Sequence, residues 1–315
     1  MIHPEGAMDK ILVIGAGLLG SRIVEQARDN YEVHAADADA SLSDVGCQFH
    51  RLDITEKQAV VDLLYKVRPK AVFHTAALTN VDKCETEPTN ARKVNGSACG
   101  HIALACAKLE AYVCAISTDY VFNGKTGMYK EEAKPDPICE YGRSKLMGEE
   151  EIKCLGTRWK WTILRSSILY GAYRKRFNFV TWIIDELRAG RPVRIVTDQF
   201  GSPTLADDLA DACLTLWKKG ATGIYHAAGS ERISRYDFAL KICDVFSLDR
   251  SLVSKITTDE LKQRATRPPD SSLDVSKVEN ALGRKMLDIT SGLKKVKARE
   301  NDASPSEKGP LSRTV

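Results

Sequence analysis

The chain has almost no excess of charge of one sign: 46 Lys and Arg against 42 Asp and Glu leave +4 over 315 residues. The basic positions are spread along its length, which excludes the basic stripe by which nucleic acid is bound. Long apolar runs are also missing. Charges interrupt each one well before the roughly 18 residues a membrane helix needs. Residues 1–8 lack the basic-then-apolar pattern of a secretory leader, and Met8 stands just ahead of the first strand as a second candidate start. The cysteines, at 47, 84, 99, 106, 114, 139, 154, 213 and 243, are odd in number and contain no C-x-x-C pair. That pattern opposes a disulfide frame or a zinc site and points to free thiols in a reducing cytoplasm. The six histidines form no H-E-x-x-H or similar ligand pair, so no metal is expected.

Short β-branched or apolar runs do alternate with helical patterns. Lys10–Ile14, Tyr31–Ala36, Lys70–His74, Ala111–Ser117 and Trp161–Arg165 read as strands; 17–28, 56–67, 89–108 and 140–154 read as helices. The alternation implies an α/β fold, a Rossmann-type doubly wound parallel sheet over residues 9–170, with ligands beyond the carboxyl ends of the strands. After Gly171 the rhythm changes. A helix over Phe177–Ala189, a turn at 190–192, strands at 193–196 and 223–228, and helices near 205–218, 235–246 and 274–282 predict a smaller mixed α/β lobe. This lobe, over 171–298, would bind substrate and interleave with the first domain. Residues 299–315 are polar, with Pro and Gly and almost no apolar anchors, and are expected to be a disordered tail.

Gly15, Gly17 and Gly20, with Leu18 and Leu19 between them, form G-x-G-x-x-G directly after the first strand. Glycine serves three needs there: a tight turn, close approach to a pyrophosphate, and packing of helix on strand. The helix N-terminus offers unpaired N–H groups to the phosphates. Asp37 ends the second strand, where a carboxylate can accept from both ribose hydroxyls and repel a 2′-phosphate, so NADH is favoured over NADPH. Arg22 is a counter-signal for NADPH, or a solvated helix residue. Asp53, followed by Ile54, could meet the adenine amine or cap a helix.

Tyr141 and Lys145 lie four apart on one helical face. A neighbouring ammonium lowers a tyrosine pKa from ~10, and Lys145 could also hydrogen-bond the nicotinamide ribose. Ser117, Thr118 and Asp119 end a strand and supply a hydroxyl to position a carbonyl. Tyr141, Lys145 and a hydroxyl from this strand end make up a candidate proton relay.

From about Lys10 to Lys297 the chain resembles the extended short-chain dehydrogenases/reductases, and among them the dTDP-4-dehydrorhamnose reductase family. Five segments carry the resemblance: Ala77–Glu85 (A-x-T-x-V-D-K-x-E), Ser117–Gly124 (S-T-D-Y-V-F-D-G), Tyr141–Glu149 (Y-G-x-[ST]-K-x-x-G-E), Asp198–Thr204 (D-Q-x-G-x-P-T) and Arg267–Leu273 (R-P-x-x-S-x-L). The resemblance implies a catalytic triad of Thr118, Tyr141 and Lys145, in which Tyr141 protonates the C4 oxygen of a nucleotide-linked 4-keto-6-deoxyhexose while hydride from NADH or NADPH reaches C4, most simply turning dTDP-4-dehydrorhamnose into dTDP-rhamnose. It implies cofactor contacts from His74, Thr75, Ala76, Ala77, Asn95, Ser117, Ser167 and Ile168, with Asn95 also helping to hold the catalytic residues. Substrate contacts would come from Lys83, Thr118, Asp119, Asn178, Gln199, Thr204 and Arg267, the last through a bidentate guanidinium. The implied partners are a nucleotide sugar and, at most, a second copy in a homodimer, with no nucleic acid or membrane.

The glycine loop is one residue shorter than the family's usual one. His74 stands where the family often has Asn, Ile168 where many members carry a tryptophan, and Leu78 where a polar or aromatic residue is common. Tyr120 follows Asp119, so the second carboxylate a dehydratase needs is missing. A nucleotide-sugar 4-epimerase and a non-catalytic regulatory subunit, of the kind that binds methionine adenosyltransferase, share the catalytic residues and stay open.

Overall fold

The computed structural model describes residues 8–172 and 178–302. Residues 1–7, the Phe177 start of the predicted helix and the tail from 303 lie outside them. The first half alternates regularly: β1 (Lys10–Ile14), α1 (Leu18–Ala27), β2 (Glu32–Asp37), β3 (Gln48–Arg51), α2 (Lys57–Val67), β4 (Ala71–His74), α3 (Val81–Thr86), α4 (Pro88–Arg92), α5 (Ala98–Lys108), β5 (Tyr112–Thr118), α6 (Glu140–Lys153) and β6 (Trp161–Ser166). The helix expected over 89–108 is broken by a π-turn at Lys93–Ser97, which carries Asn95. The second half holds β7 (Leu169–Tyr170), α7 (Phe179–Arg188), β8 (Val193–Val196), β9 (Phe200–Gly201), β10 (Thr204–Leu205), α8 (Ala206–Lys218), β11 (Gly223–His226), β12 (Ile233–Ser234), α9 (Arg235–Phe246), β13 (Val253–Ile256), α10 (Thr258–Leu261), α11 (Ser276–Leu282) and α12 (Ile289–Asp302).

Seven parallel strands form the main sheet in the order β11-β6-β5-β4-β1-β2-β3. The central strands read as unbroken apolar runs because helices cover both faces. Ile11, Val13 and Phe73 pack under α1 and α8; Leu12, Ile14 and Val72 pack under α2 and α5. The chain reverses its direction of winding between β1 and β4. Their carboxyl ends therefore splay apart into the crevice where such sheets take ligands.

The division at residue 170 is crossed. Of the segments read into the interleaved second lobe, the strand near 223–228 forms β11, which pairs with β6 and extends the main sheet. α8 and α11 contribute Leu209, Cys213 and Val278 to the core beneath it. The edge of β6 presents unpaired backbone groups, and a strand some sixty positions away satisfies them. Periodicity reports no such pairing. The remaining second lobe has its own core, in which Ile183, Phe238 and Leu293 bring α7, α9 and α12 together, beside the β8–β13 pair. α12 runs on through residues 299–302, which were read as tail. Arg299 bridges Glu25 on α1 and Asp207 on α8, an anchor invisible in local composition.

Candidate functional site

A cleft of about 550 Å³ lies across the carboxyl ends of β1, β2, β4, β5 and β6. At one end the glycine loop lines it. Gly15 has φ +104°, and a Cβ there would come within 2.4 Å of the Ala76 nitrogen. A Cβ on Gly20 would fall 1.7 Å from the Gly15 carbonyl oxygen, so this glycine packs helix on loop and faces away from the cleft. Gly17 meets nothing within 4 Å. It is the N-cap of α1 and makes no side-chain cap, and the first turn carries no acid. A bare helix N-terminus behind an open glycine is the cradle that a pyrophosphate fills, so these residues fit a dinucleotide.

Asp37, Asp53 and Ile54 border the same end. The Asp37 carboxylate accepts from the N–H groups of Ala16 at 2.8 Å and Asp39 at 3.0 Å, which aims it along the loop. Asp53 accepts from the backbone and hydroxyl of Thr55 at 2.9 and 2.7 Å. Those bonds hold its pKa below the usual range. Arg22 points elsewhere, donating to the Ala172 carbonyl and pairing with Glu25.

At the other end Thr118, Tyr141 and Lys145 line the wall together. Lys145 is buried and donates to the Ile116 carbonyl at 2.7 Å, and burial lowers its pKa. The expectation that this ammonium depresses Tyr141 does not hold. Removal from water raises the Tyr141 pKa beyond its ordinary value, and a hydrogen bond with Thr118 opposes this without reversing it. The phenol is thereby kept protonated, the form needed by a proton donor.

Behind these groups lies a buried polar frame. Ser117 donates to Glu149 at 2.5 Å, and Glu149 receives Arg165 at 2.9 and 2.6 Å, both ends of the ion pair being 2% exposed. Asp119 accepts from Thr118 at 3.0 Å, Ser167 at 2.7 Å and Ser271. Burial raises its pKa against those three hydroxyls, yet each of them donates, an arrangement that suits a carboxylate. Asn95 is fully buried and does not line the cleft. Its amide bonds both the N–H and C=O of Leu78, at 2.8 and 3.0 Å, and Ser144 on α6 at 3.0 Å. It positions the loop and the catalytic helix from behind the cleft wall. His74 is likewise enclosed, with Nε2 3.3 Å from Cys99 Sγ and burial lowering its pKa to about 3. Thr75, Ala76 and Ala77 do line the cleft.

The expected substrate residues divide. Thr118, Asp119 and Asn178 line the cleft, as do Ser117, Ser167 and Ile168. Asn178 also caps α7 through Val180 and Thr181. Lys83, Gln199, Thr204 and Arg267 do not line it. Lys83 is exposed beside Glu87. Gln199 donates to Thr258 and Gln263. The Arg267 guanidinium, expected to meet a phosphate, forks onto the Asp82 carboxylate at 3.1 and 3.0 Å. Thr204 donates to the Ser167 carbonyl at 2.7 Å, and its N–H to that of Ile168 at 3.2 Å. Ile168 has φ +42°, a left-handed conformation that costs a β-branched residue dearly, and Thr204 clamps it. The conspicuous segments thus hold one another around the strand end. Sequence reasoning missed Thr79, Val81, Tyr120 and Arg235 on the cleft wall. Tyr120 was noted only as a missing acid; its ring stands edge-on to Tyr141, centroids 5.9 Å apart. Arg235 heads α9, distant in sequence from every motif, and gave no signal.

Among the described residues no group of three or more His, Cys, Asp or Glu side chains could hold a metal ion, and no helix is long and apolar enough to cross a membrane.

The family model described as RmlD substrate binding domain matches residues 8–301. A probable low-salt glycan biosynthesis reductase of Haloferax volcanii is 37% identical over 93% of this chain and 98% of its own. A dTDP-4-dehydrorhamnose reductase of Bacillus anthracis, solved in complex with NADP, superposes with a TM-score of 0.84 at 30% identity, covering 93% of this chain and 99% of that one. Methionine adenosyltransferase 2 subunit beta of Bos taurus is 31% identical over 86% of this chain and 81% of its own.

Proposed function

The chain belongs to the RmlD substrate binding domain family, and from that premise we propose that it reduces the C4 keto group of a nucleotide-linked 4-keto-6-deoxyhexose, dTDP-4-dehydrorhamnose first among them. It is an NAD(P)H-dependent oxidoreductase of the dTDP-4-dehydrorhamnose reductase type. The observation that supports the finer reading is the meeting of Thr118, Tyr141 and Lys145 in a cleft whose far end is a glycine cradle.

The dihydronicotinamide, when bound, supplies the hydride that C4 accepts. Thr118 would turn its hydroxyl from Asp119 to donate to the carbonyl oxygen. Tyr141, kept protonated by its surroundings, donates to that oxygen as negative charge develops on it. Lys145, held on the Ile116 carbonyl in the same wall, would hydrogen-bond the nicotinamide ribose. Asn95 and Glu149 act at one remove, fixing α6 and the end of β5. Asp37 tilts cofactor choice to NADH. We assign the protein to the cytoplasm, in keeping with its nine free thiols.

The test is the loss of NADH or NADPH absorbance against a panel of nucleotide 4-keto sugars. Turnover with a dTDP-4-keto-6-deoxyhexose is expected. Tight cofactor binding with no turnover on any member would replace this reading with a regulatory one, which the likeness to the methionine adenosyltransferase subunit favours.

A further inference from the structure

Only two cations line the cleft among the described residues, Lys145 and Arg235. Lys145 sits beneath the strand end and is committed to the Ile116 carbonyl. Arg235 is placed differently. It is the first residue of α9, half-buried, and its backbone N–H donates to the Gln199 carbonyl at 2.9 Å, which fixes the helix start. Its guanidinium lies over the Phe179 ring, 5.2 Å from the centroid, and forms no ion pair among the described residues. Asp119 and Tyr120 line the same cleft, and the positive charge of Arg235 opposes the rise that burial gives both their pKa values. The other basic residues expected to meet an anion are turned away, Arg267 onto Asp82 and Lys83 towards Glu87.

A cation without a carboxylate partner, in a cleft otherwise walled by Asp37, Asp53 and Asp119, needs a counter-ion from the ligand. We propose that Arg235 is the substrate lobe's oxyanion reader, forking onto an anionic oxygen pair of the bound molecule. Two parts of a sugar nucleotide offer that chemistry: the diphosphate between sugar and base, or a carboxylate on the sugar. The inference rests on the reading of the cleft as a sugar-nucleotide site. Phe179 holds the guanidinium in the cleft, as a cation over an aromatic face is held, and Gln199 acts through the backbone that places it. This also gives the Asp198–Thr204 segment a part in substrate choice without any of its side chains touching substrate.

Calorimetric titration of the full chain with dTDP, dTDP-glucose and dTDP-glucuronate decides it, comparing wild type with Arg235→Gln and Arg235→Lys. NADH affinity serves as the check that each variant is folded. If the diphosphate is the partner, Arg235→Gln weakens dTDP by about 10- to 100-fold, with Arg235→Lys between it and wild type. If a sugar carboxylate is the partner, dTDP is unaffected, and the preference for dTDP-glucuronate over dTDP-glucose is lost in Arg235→Gln. Unchanged affinities for all three ligands in Arg235→Gln would overturn the role of Arg235. A wild-type protein that binds NADH but none of the three would instead overturn the sugar-nucleotide reading on which it rests.

Discussion

The two ends of the cleft are built from different materials. The dinucleotide end is backbone: a positive-φ glycine, an open glycine and a bare helix N-terminus, with Asp37 hydrogen-bonded along the loop. The catalytic end is a frame of buried charge and hydroxyls, in which Glu149, Arg165, Asp119 and three serines hold the end of β5. Backbone recognition is local and tolerant of the side chains around it. A buried polar frame works only when every member is present, because each unpaired group left in low dielectric is costly. Substitutions at the first end should therefore change one ligand's affinity, and substitutions at the second should change stability or chemistry as a whole.

The largest effect is expected from Tyr141→Phe, which removes the proton donor and leaves the cradle intact. Turnover should fall by about 10²- to 10⁴-fold while NADH affinity, measured by fluorescence titration, stays near wild type. A full rate would end the role of Tyr141. Next is Glu149→Ala, which strands the Arg165 charge and frees Ser117. Unfolding in denaturant should show a loss of about 3–5 kcal/mol, well beyond any change at the glycine end. Gly15→Ala sharpens the contrast from the other side. Strain at positive φ and the clash with Ala76 should weaken NADH at least about tenfold, taking ~1–2 kcal/mol from the conformation alone, with dTDP binding untouched. If dTDP binding falls in parallel, the two ends are not independent. Asp37→Ala should shift selectivity from NADH towards NADPH by several-fold in paired steady-state assays, through loss of charge-assisted bonds to the ribose.

These differences explain what was legible in the sequence. The glycine loop, Asp37 and the Tyr141–Lys145 spacing are each local, and strand–helix alternation places β1, β2, β4, β5 and β6 within a residue or two. What escaped depends on distant pairs. Ser271 reaches Asp119 across 152 positions, and Arg267 reaches Asp82 across 185. No window of sequence shows that Arg267 is already occupied, or that Thr204 restrains Ile168 instead of touching a sugar. Resemblance singles out these segments, but Gln199 and Arg267 are held by partners outside the cleft, and Thr204 is spent on the backbone of Ser167 and Ile168 in its wall. The same distance hid β11, whose pairing with β6 places it in the main sheet.

The smallest effect concerns acid. His74 has a folded pKa near 3 against an ordinary 6.5, so the unfolded chain binds more protons between those values. Stability is thus complete above about pH 6.5 and falls as the pH drops towards about 3. His74→Asn should flatten part of that fall in melting temperature against pH, the remainder belonging to His226, whose pKa burial also lowers to about 3. An unchanged acid slope would show that His74 is not held neutral in the fold.

The central claim is that this cleft moves a hydride to C4 of a nucleotide-linked keto sugar while Tyr141 supplies the proton. Reduction with NADH deuterated at the transferring position, followed by mass and NMR analysis of the sugar, tests it most directly. One deuterium on C4 of the product is expected for each NADH consumed; NADH left unconsumed, or a product with no label at C4, would rule this reaction out.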